Sequence, residues 1–177
     1  MPIFRQISLS AIFVLILLGC GKSKQLTPLL PDAPDGWSTE GVSVNDVSGV
    51  GHSSSRSYVP TGSTASLGVQ KVTVQILLGE KGADQAKLQQ MSLERAGEFK
   101  EQKEVGGFLA YESLPLPSND THDLDIVPKL GTYVQIVAYK GGAGWDNADN
   151  RRAVVSAFAA KIDLKKIAAV VATLYAQ

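Results

Sequence analysis

The chain has 177 residues, and 17 lysine and arginine residues balance 17 aspartate and glutamate residues, so the formal net charge is zero at neutral pH. A neutral protein generates no long-range field that attracts nucleic acid, and this balance argues against a nucleic-acid-binding function. Cys20 is the only cysteine, which excludes an intramolecular disulfide.

The N-terminal segment has the pattern of a secretory signal. Arg5 supplies one positive charge, and residues 7–18 form an uncharged, predominantly apolar run. A membrane-spanning helix needs about 20 apolar residues, so this run is too short to span and fits a cleaved signal peptide over residues 1–19. The run ends in Leu17-Leu18-Gly19-Cys20. This motif resembles the lipobox of bacterial lipoprotein precursors.

The resemblance implies that Cys20 is lipidated and becomes the mature N-terminus. The partner of the N-terminus is then a membrane, and the domain faces the periplasm or the cell exterior. In that family an aspartate directly after the cysteine resembles an inner-membrane retention signal. Gly21 occupies that position here, which favours the outer membrane if the organism has one.

Residues 20–35 are predicted to form the lipidated N-terminus and an extended linker. Pro28, Pro31 and Pro34 recur at every third position, a spacing typical of a polyproline-like spacer that rises about 3.1 Å per residue. Lys22 and Lys24 could contact anionic headgroups or simply keep the linker hydrophilic. Residues 36–177 are then expected to form a single domain.

Alternation of apolar and polar residues predicts the strands of this domain. The strongest pattern covers residues 71–78, and residues 133–139 are apolar on both faces, as in a covered central strand. A further strand is expected over residues 108–114, and weaker ones over 52–59 and 124–127.

Helical spacing predicts three helices. The first covers residues 84–103, a proline-free run rich in Gln, Glu, Lys and Ala. Asp149 or Asn150 could cap the second helix, and Asp163 could cap the third. We assign the apolar stripe of the third helix to the core. The element order predicts an α+β fold, with helices packed on an antiparallel sheet of about four to six strands. This order is similar to that of the PsbP-like fold.

Two segments are candidates for ligand binding. The glycines of residues 141–144 lie between a strand and a helix, as in phosphate-binding loops, but they lack the required spacing and are better explained as a connecting loop. One acidic segment contains four weak candidates for metal ligands: Asp120, His122, Asp123 and Asp125. Their spacing matches neither a calcium loop nor a zinc set, so we interpret the segment as a solvated loop and expect no metal and no cofactor.

No catalytic set stands out in the sequence. Ser43 lies in a run that misses the last glycine of a nucleophile elbow, and serines follow His52 directly, where triad partners are seldom found. We therefore expect a non-catalytic accessory or binding domain with a protein partner in the envelope, and Trp37, Tyr58, Tyr111 and Trp145 could anchor such an interface. The alternative is an envelope hydrolase or metal-dependent enzyme that uses the acidic segment around His122.

Overall fold

The computed structural model of the protein describes residues 21–47, 51–79, 100–116 and 118–176. Seven strands form one sheet, and three short or medium helices accompany it. The strands are β1 (Trp37–Val47), β2 (Gly51–Pro60), β3 (Val69–Gly79), β4 (Lys100–Val105), β5 (Phe108–Ser113), β6 (Thr121–Lys129) and β7 (Thr132–Lys140). The helices are α1 (Lys22–Leu26), α2 (Ala148–Ala159) and α3 (Leu164–Ala176).

The spatial order of the strands is β1-β2-β3-β7-β6-β5-β4, and every neighbouring pair is antiparallel. This confirms the expected antiparallel sheet with helices packed on it. Seven strands exceed the expected four to six, however, and the fold is richer in β-structure than the predicted α+β class. The additional strands are β1 and β4, neither of which was predicted as a strand.

The central strands follow the predicted alternation. Val72, Val74 and Ile76 of β3 are completely buried. On β7 the residues of one face, Val134 and Ile136, are also completely buried, and on its other face Tyr133 is only 8% exposed. The predicted central position is thereby confirmed, but the face of Tyr133 is only partly covered, because Gln135, Val137 and Tyr139 are half-buried. The face of the sheet that carries Val74 and Ile136 packs against the helices, and we call it the core face.

Helices α2 and α3 cover the core face next to β6 and β7. Phe158 of α2 joins the two layers, because its ring lies 5.1 Å from that of Trp37 and 4.8 Å from that of Tyr58. Asp163 caps α3 through the backbone N–H of Lys166, as predicted. The buried residues of α3 repeat at helical spacing and confirm its assignment to the core: Leu164, Ile167, Val171 and Leu174. The cap of α2 is Asn147, two residues before Asp149 and three before Asn150, the two predicted caps.

The segment expected to be an extended linker is folded. Helix α1 continues into a 3-10 turn (Thr27–Leu29), and Leu26 of this segment is completely buried in the core. The carbonyl oxygen of Pro31 accepts hydrogen bonds from Tyr58 at 2.6 Å and from Arg56 at 2.8 Å. The segment is not an extended polyproline-like spacer, because the apolar side chains between the prolines are buried by packing against the sheet.

The predicted helix over residues 84–103 is corrected at its end, because residues 100–103 belong to β4. Its remaining residues, the predicted signal peptide and Cys20 lie outside the described residues. In the described part of the chain, no helix has the length and apolar character to span a membrane.

Candidate functional site

The acidic segment forms strand β6 and is not the solvated loop that its composition indicated. Successive side chains of a strand point to opposite faces of the sheet. His122 therefore lies on the core face, whereas Asp123 and Asp125 lie on the opposite face, which we call the outer face. Asp120 precedes the strand, and its exposed carboxylate is 3.8 Å from the ammonium group of Lys140. The four candidate metal ligands are thus divided among three environments.

On the outer face, Lys100 of β4 binds both Asp123 and Asp125. Burial alone would lower the pKa of Lys100, but the two carboxylates outweigh it and raise that pKa. One lysine cannot compensate two carboxylates, and burial raises the pKa of Asp125, whose side chain is only 7% exposed. The lysine ammonium group takes the place that a cation would occupy. Among the described residues, no group of three or more His, Cys, Asp or Glu residues could hold a metal ion.

On the core face, His122 belongs to a buried polar network. Its Nε2 is 2.9 Å from Oε1 of Glu112, and its Nδ1 is 3.1 Å from Oγ of Ser113. Glu112 also accepts a hydrogen bond from Lys103. Burial alone would raise the pKa of Glu112, but the hydrogen bonds from His122 and Lys103 together hold the pKa below its ordinary value. We call these four residues the histidine network.

The hydrogen bonds of the histidine network fix the roles of its donors. The carboxylate of Glu112 can only accept, so Nε2 of His122 carries a hydrogen; in the neutral imidazole Nδ1 then accepts from the hydroxyl of Ser113, whose oxygen accepts from the backbone N–H of Asp123 at 2.9 Å. Every polar side chain of the network has a partner, and the network links β4, β5 and β6.

A pocket of about 590 Å³ opens on the outer face beside this network. Its polar lining includes Lys100, Ser113, Asn119, Thr121, Asp123 and Gln135. Ser113 is therefore shared between the pocket wall and the histidine network. The pocket lies at the end of the sheet where β5 ends and β6 begins, and we call it the outer-face pocket.

The glycine loop of residues 141–144 is a packed connection. The N–H groups of Gly141 and Gly142 both donate to the carbonyl oxygen of Gly68, at 2.8 and 3.3 Å. A Cβ atom added to Gly68 would lie 2.1 Å from the backbone nitrogen of Trp145, so the two backbones touch. Amide groups engaged in this way are not free to cradle a phosphate.

None of the four aromatic residues considered as interface anchors is exposed. Trp145 is completely buried, and its Nε1–H donates to the carbonyl oxygen of Asn119 at 2.8 Å. The guanidinium group of Arg151 lies 5.3 Å from the centre of the Trp145 ring and donates to the carbonyl oxygens of Pro115 and Leu116. Tyr58 is completely buried, and Trp37 and Tyr111 are at most 9% exposed. These rings stabilise the domain and do not line the outer-face pocket, whose apolar lining residues are Leu116 and Val137.

The residues directly after Cys20 are fixed to the hairpin of β1 and β2. Asp46 accepts hydrogen bonds from the backbone N–H of Ser23 at 3.3 Å and from its hydroxyl group at 2.6 Å. The same carboxylate is 2.6 Å from Nδ1 of His52. The hydrogen bond from Ser23 is the largest contribution that lowers the pKa of Asp46. Gly21 and Ser23 are therefore held at this corner of the domain.

Comparison with known proteins gave no match. No protein-family model, curated protein or solved structure is significantly similar to the chain.

Sequence reasoning missed the residues that complete these clusters. Lys100 and Lys103 were assigned to a helix, and their roles depend on the pairing of β4 with β5. Glu112 was included in a predicted strand without a function. The signal that could have identified these residues is the presence of charged side chains within otherwise apolar strand patterns, because a charge in a covered strand needs a partner.

Proposed function

We propose that the protein is a lipid-anchored lipoprotein of the bacterial cell envelope, and that its domain acts as a non-catalytic accessory or binding module. The lipid is attached to Cys20, and removal of residues 1–19 then makes this residue the mature N-terminus. The observation that carries the proposal is the motif Leu17-Leu18-Gly19-Cys20 behind a short apolar run. Two acyl chains on one cysteine suffice for stable anchoring, because each buried methylene contributes about 0.8 kcal/mol.

The proposed location is the membrane surface, facing the periplasm or the cell exterior. Gly21, in place of aspartate, favours the outer membrane in an organism that has one. Helix α1 begins at Lys22, two residues after the proposed lipid site, so a short attachment would hold the folded domain close to the membrane.

The lipid anchor is tested by replacing Cys20. We expect Cys20→Ser to abolish incorporation of labelled palmitate and to leave an uncleaved precursor, whereas Lys24→Ala, which changes an exposed residue of α1, should be labelled and processed normally. Normal processing of the Cys20→Ser protein would contradict the proposal.

The outer-face pocket is the proposed contact site for an envelope partner. Its lining combines a lysine, a carboxylate and amide groups that suit a polar ligand or peptide. A photo-crosslinking residue at Thr121, an exposed position in the pocket wall, should capture a reproducible product in intact cells. The same residue at Ala153, an exposed position of α2, is the matched control. Equal products at both positions would count against the pocket.

A hydrolase is the second candidate, because Ser113, His122 and Glu112 form a continuous hydrogen-bonded chain that reaches the outer-face pocket. In such a reaction Ser113 Oγ would attack an acyl carbon, His122 Nδ1 would accept the hydroxyl proton, and Glu112 would stabilise the resulting imidazolium. Ser113 is only 7% exposed, however, and its Oγ already binds the N–H of Asp123. These contacts favour a structural role for Ser113 in the histidine network over a role as a nucleophile.

The two candidates differ in their reaction with a fluorophosphonate probe. A hydrolase would be labelled, and Ser113→Ala would remove the label, whereas Ser118→Ala, which changes an exposed serine of the same pocket, would keep it. We expect no labelling of the wild-type protein. The metal-dependent alternative is tested by elemental analysis of protein purified without chelator, for which we expect no stoichiometric metal.

A further inference from the structure

The residues after the proposed lipid site lie at one particular end of the sheet. A Cβ atom added to Gly21 would be 2.8 Å from Oδ2 of Asp46, so these two residues are in contact. The strand pairings connect Asp46 with His52, His52 with Leu78, Leu78 with Thr132, and Thr132 with Lys129. These five residues form one row across five strands. We call this end, marked by Gly21, Asp46, Lys129, Leu130 and Gly131, the anchor end.

Leu130 projects from the anchor end. It occupies the turn between β6 and β7 and is 53% exposed, the largest exposure recorded for a large hydrophobic side chain in the described part of the chain. The turn is held in place, because the hydroxyl group of Tyr175 in α3 donates to the carbonyl oxygen of Gly131 at 2.8 Å. An apolar side chain on a fixed turn remains exposed unless another surface covers it.

Positive charges accompany this leucine. Lys129 is exposed beside Leu130, and Lys22 and Lys24 follow the proposed lipid site. The carboxylate of Asp46 is engaged by Ser23 and His52 and does not pair with these lysines. Each lysine close to an anionic membrane surface contributes about 1 kcal/mol of attraction.

We infer that the anchor end rests on an anionic phospholipid bilayer, with Leu130 inserted between the headgroups as a second contact beside the lipid on Cys20. This inference rests on the proposed lipidation. Four strand spacings separate β1 from β6, so the two contacts lie about 19 Å apart. Two contacts at this separation restrict the tilt of the domain. The strands then stand on the bilayer, and the outer-face pocket opens near the end remote from it.

The orientation is tested in the lipidated full-length product. Cys20 is the only cysteine, and its sulfur is blocked by the thioether, so Leu130→Cys introduces a unique thiol for a fluorescent label. Ser63→Cys is the matched control, because Ser63 is exposed in the 3-10 helix (Gly62–Leu67) that joins β2 to β3 at the opposite end. The labelled proteins are reconstituted into vesicles of phosphatidylcholine and phosphatidylglycerol that contain a nitroxide-labelled lipid.

We expect the lipid nitroxide to quench the label at position 130 several-fold more strongly than the label at position 63. Equal quenching at both positions, in protein whose mass shows the lipid on Cys20, would overturn the orientation and leave the proposed function standing. Protein whose mass shows no lipid on Cys20 would overturn the proposed function and the orientation with it. Near-ultraviolet circular dichroism of both variants verifies that each is folded.

Discussion

The buried polar residues of this protein acquire their roles from partners on neighbouring strands. His122 and Asp123 are adjacent in the sequence, but one contacts Glu112 on the core face and the other contacts Lys100 on the outer face. The sequence identified these residues as unusual because they are charged or polar within an otherwise apolar domain. Their partners could not be identified, because period-2 alternation assigns neighbours to opposite faces only once the strand is known.

The lowered pKa of Glu112 has a consequence for stability. A carboxylate with a lowered pKa contributes stability above its ordinary pKa of 4.5, and that contribution is lost as the pH falls through the folded-state pKa. We expect Glu112→Gln to lower the free energy of unfolding by about 1–3 kcal/mol at neutral pH, because charge-assisted hydrogen bonds are lost. The difference from wild type should shrink below pH 4.5 in urea unfolding experiments. Glu104→Gln, at an exposed position of β4, should leave stability nearly unchanged at every pH.

Substitution of two glycines distinguishes the effect of backbone conformation on stability from the effect of close packing. Gly62 and Gly68 both have positive φ, 57° and 75°, but only Gly68 has backbone atoms where a Cβ would lie. Gly62→Ala should therefore cost about 1 kcal/mol, the usual penalty for a left-handed residue with a side chain. Gly68→Ala should cost considerably more, because the loop that precedes Trp145 must move. Equal thermal unfolding temperatures of the two variants would contradict the packed-loop interpretation.

At the scale of elements, long-range pairing overrode local preference in two places. Residues 100–103 belong to a run rich in Gln, Glu and Lys, which favours a helix, but they pair with β5 as β4. The segment after Cys20 has the proline spacing of an extended spacer, but its leucines are buried under the sheet. By contrast, α3 was predicted correctly, because its apolar stripe and its cap agree with its final environment.

The folded N-terminal segment predicts a large effect at Leu26. This side chain is completely buried, so Leu26→Ala should lower the free energy of unfolding by about 2–5 kcal/mol through lost burial and the cavity left behind. The matched change Lys24→Ala, two residues away on the exposed side of α1, should have little effect. Urea unfolding distinguishes a folded N-terminal segment from a mobile linker, because both substitutions would be neutral in a mobile linker.

At the scale of the whole molecule, the sheet order brings the turn between β6 and β7 to the same end as Gly21, the residue next to the proposed lipid site. These segments are more than one hundred residues apart in the sequence. The domain is therefore expected to be held directly on the membrane, with no spacer of the kind that the proline pattern indicated. A short attachment restricts which surfaces can meet a partner.

Inserting a flexible Gly/Ser linker after Gly21 tests this direct attachment. The insertion retains Cys20 and its neighbours, so the lipid should be added normally. We expect the lipid nitroxide to quench the label at Leu130→Cys less strongly, because a flexible linker of this composition lets the domain move away from the bilayer. Unchanged quenching would mean that the labelled turn and the lysines hold the anchor end without help from the short attachment.

By itself, the sequence determined the features that are encoded locally. Neutral charge, the lipobox-like motif, the period-2 alternation of β3, the apolar run of β7 and the apolar stripe of α3 are all read from neighbouring residues. The tertiary structure alone decided the partners of Glu112, His122 and Lys100, the strand identity of β4 and the burial of the segment after Cys20. These features depend on contacts between residues far apart in the chain. Such contacts are selected by the burial of apolar surface and the pairing of buried charges across the whole fold, which no local pattern records.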